Sequence, residues 1–341
     1  MATATQNIAA IRIWLIVSAA MVFLMAIIGA ITRLSEAGLS MVDWRPILGW
    51  LPPMDGPSWQ AAFEAYKQSP EFAKKHFWME LSDFKRIYWL EWLHRLWGRL
   101  TGLVYILPLL LFWWRGIIPK GSGRALSLIA VLIAVQGVLG WYMVKSGLVD
   151  RPSVSHYRLA AHLGLAFVIY ALIIRQIVRL SDKPVLQVPR GLIVHSWAAL
   201  GVLAITIIWG AFVAGLDAGL IYNSFPRMGA GLMPHELAGT GFTGLYDSRA
   251  GVQFVHRWLG MLTAFMLIGL WAHAMLRGII HPLIFGLAMA ALCQAGLGIV
   301  TLLTQVWLPL AALHQAGALI VLTLLIILLT RLRHMHSHQE G

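Results

Sequence analysis

Eight stretches of the chain stay apolar long enough to cross a membrane, at about 11–32, 88–113, 126–146, 157–178, 192–215, 253–276, 280–303 and 308–330. The gaps between them alternate in charge. Arg115, Lys120 and Arg124 fall in one gap, Arg175, Arg179, Lys183 and Arg190 in a later one, and Arg331 and Arg333 follow the last run. If every run spans, these positions share one side, which the positive-inside rule makes cytoplasmic together with both termini. The opposite side carries loops 33–87, 145–157, 216–252 and 304–307. Lys145 and Arg151 lie in the second of these, so the bias is incomplete, and the basic residues of the long loop weigh little.

The long loop has structure of its own in the pattern. Ser69-Pro70-Glu71 reads as an N-cap, a proline at the first helical position and an acid in the first turn. Trp59, Phe63, Tyr66, Phe72, Phe77 and Trp78 fit the apolar face of short surface helices better than a layer lying in the membrane interface.

Composition agrees with the spans. The chain is 59% hydrophobic and 12% charged, more apolar surface than a soluble domain of 341 residues hides, whereas a bilayer solvates it. The net charge of +12 suits either nucleic acid or anionic lipid. Lipid is the better reading, and nucleic acid is not expected, because the basic residues cluster in gaps between spans. The single cysteine, Cys293, lies inside an apolar run, so an intrachain disulfide and a cysteine metal site are both excluded. No small-residue cleavage site follows the first run, which reads as a retained helix.

The second half repeats the first. Gly29-Ala30 and Glu36-Ala37-Gly38-Leu39 recur as Gly210-Ala211 and Asp217-Ala218-Gly219-Leu220. His94-Arg95, Gly98 and Thr101 recur as His256-Arg257, Gly260 and Thr263. Gln136-Gly137 and Gly140 recur as Gln294-Ala295 and Gly298, and Leu159-Ala160-Ala161-His162 recurs as Ala311-Ala312-Leu313-His314. Four spans per half make this a parallel repeat. The expectation is an all-α membrane protein of eight transmembrane helices in two pseudo-symmetric four-helix bundles, residues 1–180 and 181–341. Gly137 and Gly140 suit helix packing within a subunit or between subunits, which leaves a homo-oligomer open.

Most of the 13 histidines have plain explanations. His76 lies in a loop, His195, His273 and His281 stand near cytoplasmic ends, and His334, His336 and His338 form a polar tail. His94, His162, His256 and His314 differ. Each lies inside the outer end of an even-numbered run, roughly 5–10 Å below the outer surface at about 1.5 Å per residue. Two parallel helices per half therefore offer one imidazole each at matched height, as a bis-histidine heme requires. The plainer account is four buried imidazoles bonded to neighbouring helices. Zinc fits less well, since no acid or thiolate shares that depth in the second half. Arg95 and Arg257 follow two of the histidines and are candidates for heme propionates by charge, or for snorkelling to the interface.

The halves differ at one position. Glu91 precedes His94 by three residues, whereas Gln253 holds the matching place before His256. A carboxylate beside a heme can move protons or stabilise developing positive charge. It can also simply be an acid favoured by the dipole in the first turns of its helix.

Thr32-Arg33-Leu34, the stretch Gly38-Leu39-Ser40-Met41-Val42-Asp43-Trp44, Glu91-x-x-His94-Arg95, the three further histidines, and Ala218-Gly219-Leu220-Ile221-Tyr222-Asn223 with Phe225-Pro226 together give a resemblance. Over nearly its whole length the chain resembles the heme A synthases, membrane enzymes that convert heme O to heme A. The resemblance implies that the N-terminal half holds the heme O substrate, its iron facing His94 and His162. The C-terminal half would hold a heme b cofactor with His256 and His314 as axial iron ligands. Glu91 matches the catalytic carboxylate, and the reaction is oxidation of a porphyrin methyl group to a formyl group through successive hydroxylations. The implied setting is the bacterial inner membrane, with heme sites near the periplasmic side. The implied partners are an unidentified electron donor, heme O synthase and oxidase assembly factors. Some members carry cysteine pairs in the outer loops; this chain has none there, so no disulfide-dependent step through those loops operates. Two rival functions use the same histidines: a diheme b-type electron-transfer protein, and a heme carrier without chemistry. A small-ion transporter fits less well, because the polar groups lie near one face and not at mid-membrane.

Overall fold

In the computed structural model, residues 2–43, 49–147, 154–181 and 184–334 are described; Trp44, Arg151, Lys183, His336 and His338 lie outside them. In chain order the helices are α1 (Ala2–Leu34), α2 (Gly56–Lys67), α3 (Leu81–Trp114), α4 (Gly123–Gly147), α5 (His156–Arg179), α6 (Arg190–Gly215), the one-turn α7 (Gly244–Asp247), α8 (Arg249–Leu276), α9 (Pro282–Leu303) and α10 (Leu308–Arg331). All but α2 and α7 are long and apolar enough to span. The shortest of these eight, α9, has 22 residues, about 33 Å of helix against a hydrocarbon layer of about 30 Å. Leu103, Leu107 and Leu110 of α3 and Leu262 and Phe265 of α8 are exposed, the pattern of side chains that face lipid and not a protein core.

α1, α3, α4 and α5 pack in a closed cycle, each against the next, and α6, α8, α9 and α10 do the same. The two sets meet where α1 and α5 lie against α6 and α10. Tyr170 of α5 and Thr323 of α10 share a 2.8 Å hydroxyl hydrogen bond across this seam. Turn geometry repeats along with the letters. Glu36 after α1 (φ 49°) and Asp217 after α6 (φ 51°) both adopt the left-handed conformation, which lets each helix end turn sharply. Arg33 crosses between the halves to donate to Gly215 O (3.2 Å) and Asp217 Oδ1 (3.0 Å).

The fold is all-α as expected, with one minor addition: β1 (Leu186–Val188), in the segment before α6, pairs in parallel with β2 (Leu332–His334) after the last span. One expectation changes: the second span starts earlier than its apolar run. α3 begins at Leu81 with a reciprocal cap between Glu80 and Asp83, and its first turns project from the span to pack on the long loop. There Trp59, Phe63 and Tyr66 of α2 are buried against Phe84, Ile87 and Tyr88, with Phe72 packed beside them. Asp55 caps α2 by accepting from Ser58 N–H at 2.7 Å, and Ser69 accepts from Phe72 N–H at 3.2 Å to start a short π turn at Phe72–His76. Phe77 and Trp78 depart from the buried face, being 70% and 60% exposed.

Candidate functional site

The four histidines are seated by one device used four times. Each imidazole lies against a glycine of an odd-numbered partner span, where a side chain would collide with it. A Cβ on Gly29 of α1 would stand 3.3 Å from His94 Nε2, and one on Gly140 of α4 3.3 Å from His162 Cε1. In the second half a Cβ on Gly210 of α6 would stand 3.0 Å from His256 Cε1, and one on Gly298 of α9 2.8 Å from His314 Cε1. In the sequence these glycines stand out as markers of the repeat and, for Gly140, as a helix-packing position. Their role is to notch a neighbouring helix so that a ring can enter the bundle. Gly140 is thereby committed within the subunit.

Further contacts orient the rings. His256 Nδ1 lies 3.1 Å from Thr206 O; with a proton on Nδ1, this leaves Nε2 as the lone-pair nitrogen, the arrangement of a metal-ligating imidazole. Gln136 Nε2 donates to His162 O at 3.0 Å, and Gln294 Nε2 donates to His314 O at 2.8 Å. Both glutamines span the same pair of elements in their halves, so the Gln136/Gln294 match marks a shared brace. The His256 and His314 ring centroids are 6.4 Å apart with planes at 87°. Two metal–nitrogen bonds of about 2 Å plus roughly 1 Å of ring radius at each end give about 6 Å, so the spacing fits one iron between them. His162 Nδ1 is buried without a partner, a polar atom that calls for one. Among the described residues no group of three or more His, Cys, Asp or Glu could hold a metal. Two-ligand axial binding of a macrocyclic metal fits this donor set better than a four-ligand zinc centre.

Glu91 is 1% exposed. It lies well inside α3, whose first turn is at Leu81, so the dipole account fails: the effect fades beyond the first turn. Four donors surround the carboxylate. Ser40 Oγ and Met41 N–H each donate to Oε2 at 2.7 Å, and Arg95 Nε (3.0 Å) and Nη2 (2.5 Å) donate to Oε1. Arg95 also donates to Asp43 O (3.0 Å) and Met41 O (2.8 Å). One buried ion pair therefore ties the 40–43 segment to α3.

The second half builds the same tie without the acid. Gln253 Nε2 donates to Tyr222 O at 3.0 Å. Arg257 donates to Tyr222 O (2.6 Å), Ser224 O (2.7 Å) and Arg227 O (3.2 Å). Arg95 and Arg257, expected to be candidates for propionates, have as their visible role the anchoring of a loop in each half. Of the histidines set aside, His195 and His273 lie 3.4 Å apart (Nδ1 to Nδ1), with His195 Nε2 3.0 Å from Met266 O, and so pair with each other. His76 is buried and hydrogen-bonded.

Residues 12–326 match the family described as "Cytochrome oxidase assembly protein". A protein of Rhodospirillum centenum named "Heme A synthase" is 48% identical over 97% of this chain and 91% of its own length. The chain belongs to the heme A synthase family. A heme A synthase of a Bradyrhizobium species is 44% identical over 96% of this chain and 92% of its own length. One of Rickettsia bellii is 43% identical over 92% and 95%. Membership of the heme A synthase family, together with eight apolar spans, makes this an integral membrane enzyme of heme A biosynthesis. The two histidine pairs, the notching glycines and the Glu91 anchor are its candidate site residues.

Proposed function

We propose that the chain is an oxidoreductase that converts a methyl group of heme O to the formyl group of heme A. In this reading residues 1–180 bind heme O between His94 and His162, and residues 181–341 bind heme b between His256 and His314. When bound, heme b supplies one-electron transfer. The chain's own residues do the rest. The glycine notches and the Gln136 and Gln294 braces fix the imidazoles. The loops held by Arg95 and Arg257 cover the outer ends and exclude water. Glu91, held in place by Arg95, Ser40 and Met41, stabilises positive charge developing at the methyl carbon or accepts its proton. The charge pattern of the gaps favours both termini in the cytoplasm and the histidines near the periplasmic face of a bacterial inner membrane. An external oxidant of the O2 class balances each hydroxylation, taking two electrons from a separate donor and two protons and leaving one water; heme O synthase and oxidase assembly factors are fitting neighbours.

The single observation that carries this reading is the asymmetry of two otherwise matching sites: a buried carboxylate at Glu91, and at Gln253 an amide that donates to the loop instead. A pure electron carrier has no use for that difference. The test is pigment extraction from cells that make heme O and lack another synthase. Wild type yields heme A. Glu91→Gln is expected to retain both pigments at wild-type stoichiometry and to accumulate heme O. Heme A at the wild-type rate from Glu91→Gln refutes the catalytic role, and heme b alone from wild type refutes the synthase.

A further inference from the structure

A second polar cluster, buried under the long outer loop, is not used by this chemistry. Tyr66 of α2 is 0% exposed, Glu71 4% and His76 5%. Tyr66 Oη lies 3.1 Å from Glu71 Oε2 and 2.6 Å from His76 Nδ1. On its other edge His76 Nε2 lies 3.3 Å from Glu36 Oε2. Glu36 is ion-paired with Lys75, and both side chains are partly exposed, at 35% and 28%. The chain of bonds thus runs from a buried carboxyl to a solvent-accessible one through alternating donor–acceptor groups.

With Glu36 ionised, one set of proton positions satisfies all three bonds with neutral interior groups. Tyr66 has a single hydroxyl proton and two neighbours. If Glu71 is protonated it donates to Tyr66, Tyr66 donates to His76 Nδ1, and His76 donates its Nε2 proton to Glu36. Burial, with help from the Glu91 charge, outweighs the lowering effect of a hydrogen bond from Tyr66 and pushes the Glu71 carboxyl up to about 8, and burial holds the His76 imidazole below its usual value. Burial opposes ionisation of Glu36, but hydrogen bonds and charge from Lys75 and His76 outweigh it and hold Glu36 low. Those states are the ones the chain of bonds requires near neutral pH.

The Glu91 charge acts on both Tyr66 and Glu71. Between Glu91 and Glu71 the coupling is electrostatic, with no direct hydrogen bond joining them among the described residues. The same loop contributes Ser40 and Met41 to Glu91 and packs on the aromatic cluster that encloses Tyr66.

We infer that Glu71, Tyr66, His76 and Glu36 form a proton relay linking the Glu91 site to the outer aqueous phase. This rests on the oxidative function proposed above: a proton that Glu91 accepts from the methyl carbon has to leave for water before Glu91 can accept another. One outward passage balances. Glu71 gives its proton to Tyr66 as Tyr66 gives its own to His76 Nδ1, and His76 releases its Nε2 proton to Glu36. Glu36 passes that proton to water, a proton from the Glu91 side restores Glu71, and rotation of the Tyr66 hydroxyl with return of neutral His76 from the Nδ1–H to the Nε2–H tautomer resets the chain for the next passage. The four residues act through Glu91 and do not touch substrate. The charged groups that act on the relay are Lys75 and Glu91, besides Glu36 itself.

The test uses the full-length protein in membranes and two readouts. Infrared difference spectra of wild type against Glu71→Gln are expected to show a protonated carboxyl band at neutral pH that titrates away toward about pH 8. Tyr66→Phe is expected to shift that band. Its absence overturns the proton order whether or not heme A is made. The second readout is the initial rate of heme A formation between about pH 6 and about pH 9. His76→Ala is expected to slow it about tenfold to a hundredfold with heme contents unchanged, and added imidazole to restore it saturably. A wild-type rate and pH profile in both His76→Ala and Glu71→Gln, or slowing that imidazole does not relieve, overturns the relay. Wild-type membranes that make no heme A refute the functional reading instead, and the infrared arm still decides whether the proton-ordered chain exists. Where His76→Ala loses pigment, the isosteric Glu71→Gln carries the rate test.

Discussion

Replacing Gly298 with alanine tests how the histidine sites are built. The new Cβ would lie 2.8 Å from His314 Cε1 and 3.4 Å from Nδ1. The first contact is about 0.7 Å inside the ~3.5 Å at which carbon atoms ordinarily rest. The ring cannot slide away freely, because Gln294 Nε2 sits 3.1 Å from its Nδ1 and also holds its backbone carbonyl. Overpacking of this kind costs about 1–3 kcal/mol, which lowers heme occupancy of the C-terminal site about fivefold to a hundredfold at about 1.4 kcal/mol per tenfold. Gly210→Ala, at 3.0 Å from His256, comes next, and Gly29→Ala and Gly140→Ala, at 3.3 Å, cost least. Helix propensity works in the other direction, since alanine is favoured over glycine by about 1 kcal/mol in a helix interior. Gly201→Ala and Gly286→Ala, on the same helices with nothing within 4 Å of the added Cβ, isolate that gain. They are expected to raise thermal stability and leave the heme spectrum unchanged. The assay is the heme-to-protein ratio and visible spectrum of each purified variant, with its Tm in the same detergent. Full heme content and an unshifted spectrum in Gly298→Ala, or greater damage from Gly29→Ala than from Gly298→Ala, refutes the steric account.

Three further outcomes are expected. Arg95→Ala leaves Glu91 buried without its cation, which costs about 3–5 kcal/mol; limited proteolysis should then cut near residues 40–43 far faster than in wild type. Arg95→Lys should restore only part of this, because a lysine cannot serve the forked set of acceptors. The outer loop should loosen with rising pH: Glu71 holds its proton more tightly folded than unfolded, so its contribution is complete below the ordinary carboxylate value of 4.5 and is lost as pH rises toward about 8. Hydrogen exchange of α2 should therefore speed up across that window in wild type and change less in Glu71→Gln. Arg33→Ala should cost little stability, at most about 1 kcal/mol, because its partner Asp217 is 38% exposed; a larger loss of Tm would show that the contact organises the seam between the halves.

The chain by itself determined the eight spans, the fourfold set of histidines and the one-sided acid. Span length and hydropathy are local properties, and a parallel repeat prints its matched positions in order, so both survive without a fold. The apolar run does not mark the start of α3, because its first turns mix polar residues with Phe84, Ile87 and Tyr88, which pack on α2, and hydropathy alone does not report such a helix. Tertiary structure alone decided what the matched letters do. That Gly29, Gly140, Gly210 and Gly298 are notches depends on which face of one helix meets which ring of another. That Glu91 is locked by Ser40 and Met41 depends on a loop folding back over 50 residues of chain. The Glu71–Tyr66–His76–Glu36 chain joins residues from three elements, and His76 read alone is only a loop histidine. Contacts of this kind are set by packing between distant segments, and no periodicity along a single segment encodes them.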